Sequence, residues 1–249
     1  MQNTQKPRVL ITNDDGIRSE GLRAMVMWCR KLGDVTVVAP KYEQSGRSQG
    51  IVLDRSFEVV RSDVFEDQGI EAYSIDASPA DCVRFALDRF SDTYDMAFSG
   101  LNNGINLGHD IGYSGTVGAA FEANYAGIRA ISVSTVSGNL RNAAKQLDNV
   151  WKFITDNDAF SVCSLFNINI PKDPKGIIFT EQGNIYYRDH FRSEGGDMYH
   201  AEFYISREKS GEPDPGIDID ALLLGYCSVT PLTILRSDYE ALARLRGRH

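Results

Sequence analysis

The stretch that most constrains this chain is residues 9–16, Val-Leu-Ile-Thr-Asn-Asp-Asp-Gly. Four β-favouring residues run into Asn13, Asp14, Asp15 and Gly16, the pattern of a buried strand ended by a turn. Two adjacent carboxylates therefore stand at the carboxyl end of a strand, the end that faces the ligand crevice in an open parallel sheet. Side by side they repel unless a cation or a proton intervenes, and a divalent metal is the obvious cation. The alternative is an Asx-type turn with two solvated acids. The choice rests on what the remaining sequence brings to the same edge.

The next residues predict a parallel sheet. Residues 21–32 place Leu22, Met25, Val26, Cys29 and Leu32 on one helical face. Gly33-Asp34 ends that helix, and 35–38 reads as a second strand closed by Ala39-Pro40. A strand–helix–strand unit of about 30 residues favours parallel pairing and a right-handed crossover. A polar loop, 41–50, follows at the carboxyl end of the second strand, with Ser45-Gly46 at its middle. Loops on that edge are disproportionately functional, a plain connection being the alternative. Residues 57–60 and 70–75 read as a hairpin. Ser78 is an N-cap with Pro79 at the first helical position, opening a helix to about Phe90. Asp81, in its first turn, is expected to be a surface acid favoured by the helix dipole, facing the site being the alternative.

A strand at 95–98 leads into residues 99–116, where five glycines and three asparagines fall within 18 positions. Both residue types tolerate left-handed backbone, and glycine allows close ligand approach. An Ala-rich helix over 117–126, with Glu122 inside it, comes next. Ser114-Gly115-Thr116 thus open a helix whose free N–H groups form a ready phosphate site, simple N-capping being the alternative. No lysine completes a Walker A loop, and no Gly-x-Gly-x-x-Gly follows the first strand. A strand at 130–134, an amphipathic helix over 141–155 and short strands at 165–170 and 177–180 complete the regular part. Residues 183–216 then carry six aromatic residues around Glu194-Gly-Gly-Asp197, a two-stranded arm that returns at Pro213-Asp-Pro-Gly216. A lone hairpin is marginal in water, so the arm is expected to pack on another subunit or to fold back on its own domain. Asp218, a strand-like run at 225–230 and a short basic helix close the chain.

Composition removes several function classes. Thirty-four acidic against 26 basic residues give a net charge of −8, which argues against nucleic acid as a partner. No apolar run approaches the ~20 residues of a membrane span, and residues 1–8 lack the apolar core of a signal peptide. Cys29, Cys82, Cys163 and Cys227 are scattered, without Cys-x-x-Cys, and read as reduced thiols in a cytoplasmic protein. The four histidines have no metal-ligand spacing, so no zinc site is expected.

Three loops remain at the carboxyl ends of three parallel strands: Asp14-Asp15, Ser45-Gly46 and 102–116. They offer carboxylates, a hydroxyl and amide carbonyls, a donor set for Mg²⁺, Mn²⁺ or Ca²⁺. A hard cation beside a helix N-terminus is equipment for phosphoester hydrolysis. Monoester hydrolysis requires up to ~10²¹-fold acceleration, whereas a helix end contributes about 0.3–2 kcal/mol. The helix end can position a phosphate; the metal must carry the reaction.

Six stretches now coincide: 12–17 (Thr-Asn-Asp-Asp-Gly-Ile); Ala39-Pro40 with Gln44, Ser45, Gly46 and Ser48; 99–102 (Ser-Gly-Leu-Asn) through Asn106, Gly108, Asp110 and 113–117 (Tyr-Ser-Gly-Thr-Val); 79–83 (Pro-Ala-Asp-Cys-Val); Leu165 with 167–169 (Asn-Ile-Asn) and Pro171; and Gly225-Tyr226 with 228–232 (Ser-Val-Thr-Pro-Leu). In these the chain resembles the survival protein E (SurE, stationary-phase survival) family of metal-dependent 5′/3′-nucleotidases. The resemblance implies an α/β fold, a Rossmann-like three-layer sandwich with a mainly parallel sheet and a C-terminal β-hairpin arm. It implies a catalytic core over 1–182, an oligomerisation arm over 183–216 and a returning strand and helix over 217–249. One divalent cation per subunit, Mg²⁺ or Mn²⁺, would be held by Asp14, Asp15, Ser45 and Asn102. Asp14, Asp15 and Asn102 would be catalytic, and Asn106, Ser114, Gly115 and Thr116 would bind the substrate phosphate. The implied substrates are nucleoside 5′-monophosphates, with 3′-monophosphates and short polyphosphate beside them, hydrolysed by a metal-bound water. The implied assembly is a dimer or tetramer joined through the arm, with no membrane partner. Ser78, Ala123-Asn124 and Ile217 depart from the family's usual residues, and none is an implied metal ligand. The rival reading is a nucleotide-binding regulatory protein with a vestigial site. A nicotinamide-dependent oxidoreductase is disfavoured by the missing glycine fingerprint.

Overall fold

The computed structural model describes residues 6–90, 93–184, 187–205 and 212–247. Strand β1 is Arg8–Thr12, and its side chains alternate between two cores: Val9 and Ile11 enter one, Leu10 the other. A strand covered on both faces needs an unbroken apolar run, and this one has it. Helix α1, Glu20–Cys29, is N-capped by Ser19, whose hydroxyl accepts from the Leu22 amide. β2, Asp34–Pro40, pairs with β1 in parallel. β3 (Val59–Arg61) and β4 (Glu71–Ile75) are the expected antiparallel pair. Helix α2, Pro79–Arg89, begins in a capping box. Asp81 closes that box and also accepts from the Val52 amide at 3.0 Å. It is buried rather than a surface acid, because its carboxylate is bonded to N–H groups of two separate segments.

β5, Met96–Asn103, pairs with β6, Arg129–Thr135, as far as Asn103 and Thr135, with an irregularity between Gly100 and Asn102. It outruns the four residues expected because neighbouring strands override the weak β preference of Gly100, Asn102 and Asn103. Helix α3 is Gly115–Tyr125, α4 is Leu140–Asp156, and β7 (Leu165–Ile170) and β8 (Gly176–Phe179) follow. β9 (Tyr187–Gly195) and β10 (Met198–Ile205) form a separate antiparallel pair turning at Gly195-Gly196. Helix α5, Asp218–Leu224, precedes β11, Tyr226–Pro231, and α6, Tyr239–Arg246, ends the chain. α5 is absent from the sequence reading because seven residues are too few to display a helical period.

The main sheet has nine strands in the order β3-β4-β2-β1-β5-β6-β7-β11-β8. The six from β4 to β7 are parallel. α1 and α4 cover one face through Met25, Val26, Leu147 and Val150. α2 and α3 cover the other through Cys82, Val83, Ala119 and Ala123. This is the doubly wound, three-layer α/β arrangement, and its strand order reverses between β1 and β5, the switch point where such sheets open a crevice. All four cysteines are free, with Cys29, Cys82 and Cys227 buried. Among the described residues no helix is long and apolar enough to cross a membrane.

The switch point depends on close packing of α1 on β5. A Cβ at Gly21 would lie 1.8 Å from the Leu101 carbonyl oxygen, next to the residue that delivers Asn102. Gly21→Ala should therefore cost about 1–3 kcal/mol of stability, read as a lower denaturant midpoint at unchanged m-value.

Candidate active site

The turn after β1 is built by Asn13. Its side chain donates to the Gly16 carbonyl (3.1 Å) and the Ser19 hydroxyl (2.8 Å), and accepts from the Gly16 amide (3.2 Å). With Asn13 occupied in the turn, the next two carboxylates serve other contacts. Asp14, only 4% exposed, accepts from both the amide of Thr116, at 3.2 Å, and the Thr116 hydroxyl. Burial pushes its carboxyl up to about 6, opposed by the Thr116 hydroxyl and reinforced by the charge of Asp15. Asp15 accepts from the Asn103 amide at 3.3 Å. Burial raises it too, against the Asn103 bond and with help from Glu43. Neither shift carries a lysine or arginine contribution, although Arg188 lines the same cavity as Asp14.

The loop after β2 is tied to the same place. The Gln44 amide donates to the Asp14 carbonyl (2.8 Å), and the Ser48 amide to the Tyr113 carbonyl (2.9 Å). Ser45 is exposed, and its hydroxyl donates to Glu43 at 2.8 Å. From β5, the Asn102 side chain donates to the Gly104 carbonyl at 2.8 Å. Asn106 is fixed from beneath: its carbonyl accepts from Asn167 and Asn169, each at 2.8 Å, and its side chain donates to the Ser134 hydroxyl, also at 2.8 Å.

A cavity of about 910 Å³ opens over these loops, within the range of small-molecule sites. Asp14, Ser45, Asn102, Asn106 and Ser114 line it together. Asp15 is not among its lining residues and stands behind, at Asn103. Ser114 N-caps α3 by accepting from Val117 at 3.1 Å, which leaves its own proton to donate. Gly115 and Thr116 do not line the cavity; Thr116 is 0% exposed and is engaged by Asp14.

The remaining lining residues carry no site motif in the sequence. His109 and Tyr113 lie in the Gly- and Asn-rich stretch already singled out. Arg188, Phe203 and Tyr204 come from β9 and β10, where the only signal was an aromatic hairpin. Nothing local in β9 or β10 marks them as sharing a cavity with Asp14.

A family model described as Survival protein SurE matches residues 9–189. The 5′-nucleotidase SurE of Thermosipho melanesiensis is 34% identical over 254 residues, spanning 97% of each chain. That of Christiangramia forsetii is 35% identical over 240 residues, spanning 92% of each. The crystal structure of the SurE protein from Aquifex aeolicus superposes with a TM-score of 0.78 at 31% identity, covering 97% of this chain and 99% of that one. The chain belongs to the survival protein SurE family.

Proposed function

We propose that this protein is a metal-dependent 5′-nucleotidase that hydrolyses the phosphate ester of nucleoside 5′-monophosphates. The observation that carries the reading is the adjacent pair of carboxylates, Asp14 and Asp15, both raised by burial. Asp14 shares its cavity with Ser45 and Asn102, and in this reading these four residues hold one divalent cation. Among the described residues no three His, Cys, Asp or Glu side chains gather, so neutral oxygens must complete the site. Two carboxylates, a hydroxyl and an amide suit Mg²⁺ or Mn²⁺. When bound, such an ion supplies Lewis acidity toward a phosphoryl oxygen and a lowered pKa for the attacking water.

The chain's own groups do the rest. Ser114, at the positive end of α3, donates to a phosphate oxygen, and Asn106 is held beside it. Thr116 orients Asp14. Tyr113, Phe203 and Tyr204 present aromatic surface on which a base can stack. Because the polar floor grips a terminal phosphoryl group, 3′-monophosphates and short polyphosphate fit the same chemistry.

Phosphate release from a panel of 5′- and 3′-monophosphates and polyphosphate, with Mg²⁺, Mn²⁺ or EDTA, tests this. Release that requires metal is expected. Asp15→Ala should lose at least ~100-fold in rate while keeping the wild-type far-ultraviolet circular dichroism. Undiminished turnover in that folded variant would remove the metal assignment. Tight nucleotide binding with no release at any metal would instead favour a regulatory binding protein.

Stability gives an independent readout. The folded chain holds the Asp14 proton more tightly than the unfolded chain. Asp14 therefore favours folding fully below its ordinary value of 3.8, and that contribution is lost as pH rises through about 6. The loss is about 3 kcal/mol. In EDTA, the wild-type melting temperature should fall across this window relative to Asp14→Asn. Added Mn²⁺ should raise it at about pH 7 and have little effect at about pH 4.5, where protons compete for the ligand. A wild-type profile parallel to that of Asp14→Asn would contradict the assignment.

The same reading makes the arm an oligomer contact. Phe191, Tyr199 and Phe203 share one face of the β9–β10 pair and are exposed. A Phe191→Ser, Tyr199→Ser double variant should elute as a smaller species than wild type in size-exclusion chromatography with light scattering. An unchanged mass would count against the arm as the contact.

A further inference from the structure

Residues 105–114 supply six of the cavity's lining residues, yet their only regular element is a short 3-10 turn over Gly108–Gly112. Asn106 is fixed by the β7 amides. The turn after it is held from elsewhere. The Gly108 amide donates to Oδ2 of Asp218 at 2.9 Å, and Oδ1 of the same carboxylate accepts from Gly183 (2.8 Å) and Ile219 (2.7 Å). The Gly108 carbonyl accepts from the Gln182 side chain at 3.0 Å, and the His109 amide donates to the Asn184 carbonyl at 3.1 Å. Gly108 has φ +54°, and a Cβ there would lie 2.0 Å from the Asn184 carbonyl oxygen. Asp218 is 0% exposed, and the neighbouring Leu107, Ile219 and Leu222 form a small apolar cluster. One buried carboxylate thus joins the cavity's loop, the foot of the arm and α5.

We propose that Asp218 is a positioning residue for substrate binding, fixing the Gly108 turn and with it His109, Asp110 and Tyr113 against the foot of the arm. The inference rests on the nucleotidase reading of the cavity. Three converging N–H donors call for a group that only accepts, which an ionised carboxylate is and an amide is not. In Asp218→Asn, the amide oxygen does best facing Gly183 and Ile219, where it keeps two bonds. Its NH₂ then faces the Gly108 amide, so this substitution selectively releases the turn.

Steady-state kinetics on a nucleoside monophosphate that the wild type turns over, combined with amide hydrogen exchange, tests this. Asp218→Asn should raise KM about tenfold and leave kcat within about threefold, because Asp14, Asp15 and Asn102 are anchored by other contacts. Exchange should quicken at residues 107–113 and stay unchanged in β1 and β5. Gln182→Ala, at an exposed side chain, loosens the same turn without disturbing the buried charge and should raise KM about threefold. Leu223→Ala is the control: it trims an exposed side chain on the same helix and should leave KM unaltered. An unchanged KM in both Asp218→Asn and Gln182→Ala, or an equal rise in Leu223→Ala, overturns the proposal. If the wild type releases no phosphate, the nucleotidase reading fails. Exchange at 107–113 that stays at the wild-type rate in Asp218→Asn then overturns the positioning role as well.

Discussion

A buried carboxylate at the start of a helix sets the terms for everything around it. Asp14 lies two residues past β1 and Thr116 in the first turn of α3, 102 positions later, and two hydrogen bonds join them. A helix N-terminus favours a nearby negative charge by about 0.3–2 kcal/mol, and hydrogen bonds to a charged group contribute about 1.5–3 kcal/mol each. Even so, the Asp14 carboxyl is pushed up to about 6, so about 3 kcal/mol of unfavourable ionisation is left over. The protein spends its own dipoles on this group and still leaves room for positive charge. In the proposed reading, a cation would relieve that remaining deficit more than any single hydrogen bond does.

The sheet makes the arrangement possible. β1 and β5 are parallel neighbours, so Asp14, Asp15 and Asn102 emerge from the same edge, and β2 brings the Ser45 loop beside them. The loops are then tied to one another, Gln44 to Asp14 and Ser48 to Tyr113. Asn106 is held by amides projecting from β7. Ordinarily loops at a sheet edge are mobile. Here the floor of the cavity inherits the rigidity of the strands beneath it, which catalysis by positioning requires.

Much of this was legible in residue order, for a physical reason. β1, α1 and β2 show their faces as periodic apolar positions, and Ser78-Pro79 marks a helix start by capping chemistry. Acid, hydroxyl and amide at three successive strand ends converge because parallel topology sends those ends to one edge. What escaped depends on distant partners. β5 continues through poor strand formers because β6 supplies its bonds. Asp81 looks like a surface acid until Val52 is placed against it, and Thr116 looks like a phosphate donor until Asp14 takes both its donor groups. Asp218 has no local motif at all; its role exists only where Gly108 and Gly183 meet.

The two walls of the cavity therefore differ in kind. The floor consists of strand ends and a helix terminus, and in the proposed reaction it faces the phosphoryl group common to all the candidate substrates. The other lining residues, His109, Asp110 and Tyr113 with those of β9 and β10, would in that reaction meet the part that differs between substrates. In the proposed reaction, changes in the floor would remove the ion or the phosphate contacts and so alter whether the reaction occurs. Changes among the other lining residues would alter which ester is held. Asp218 and Gln182 lie where the loop meets the foot of the arm, so they bear on the fit of the substrate and not on the chemistry of its phosphate.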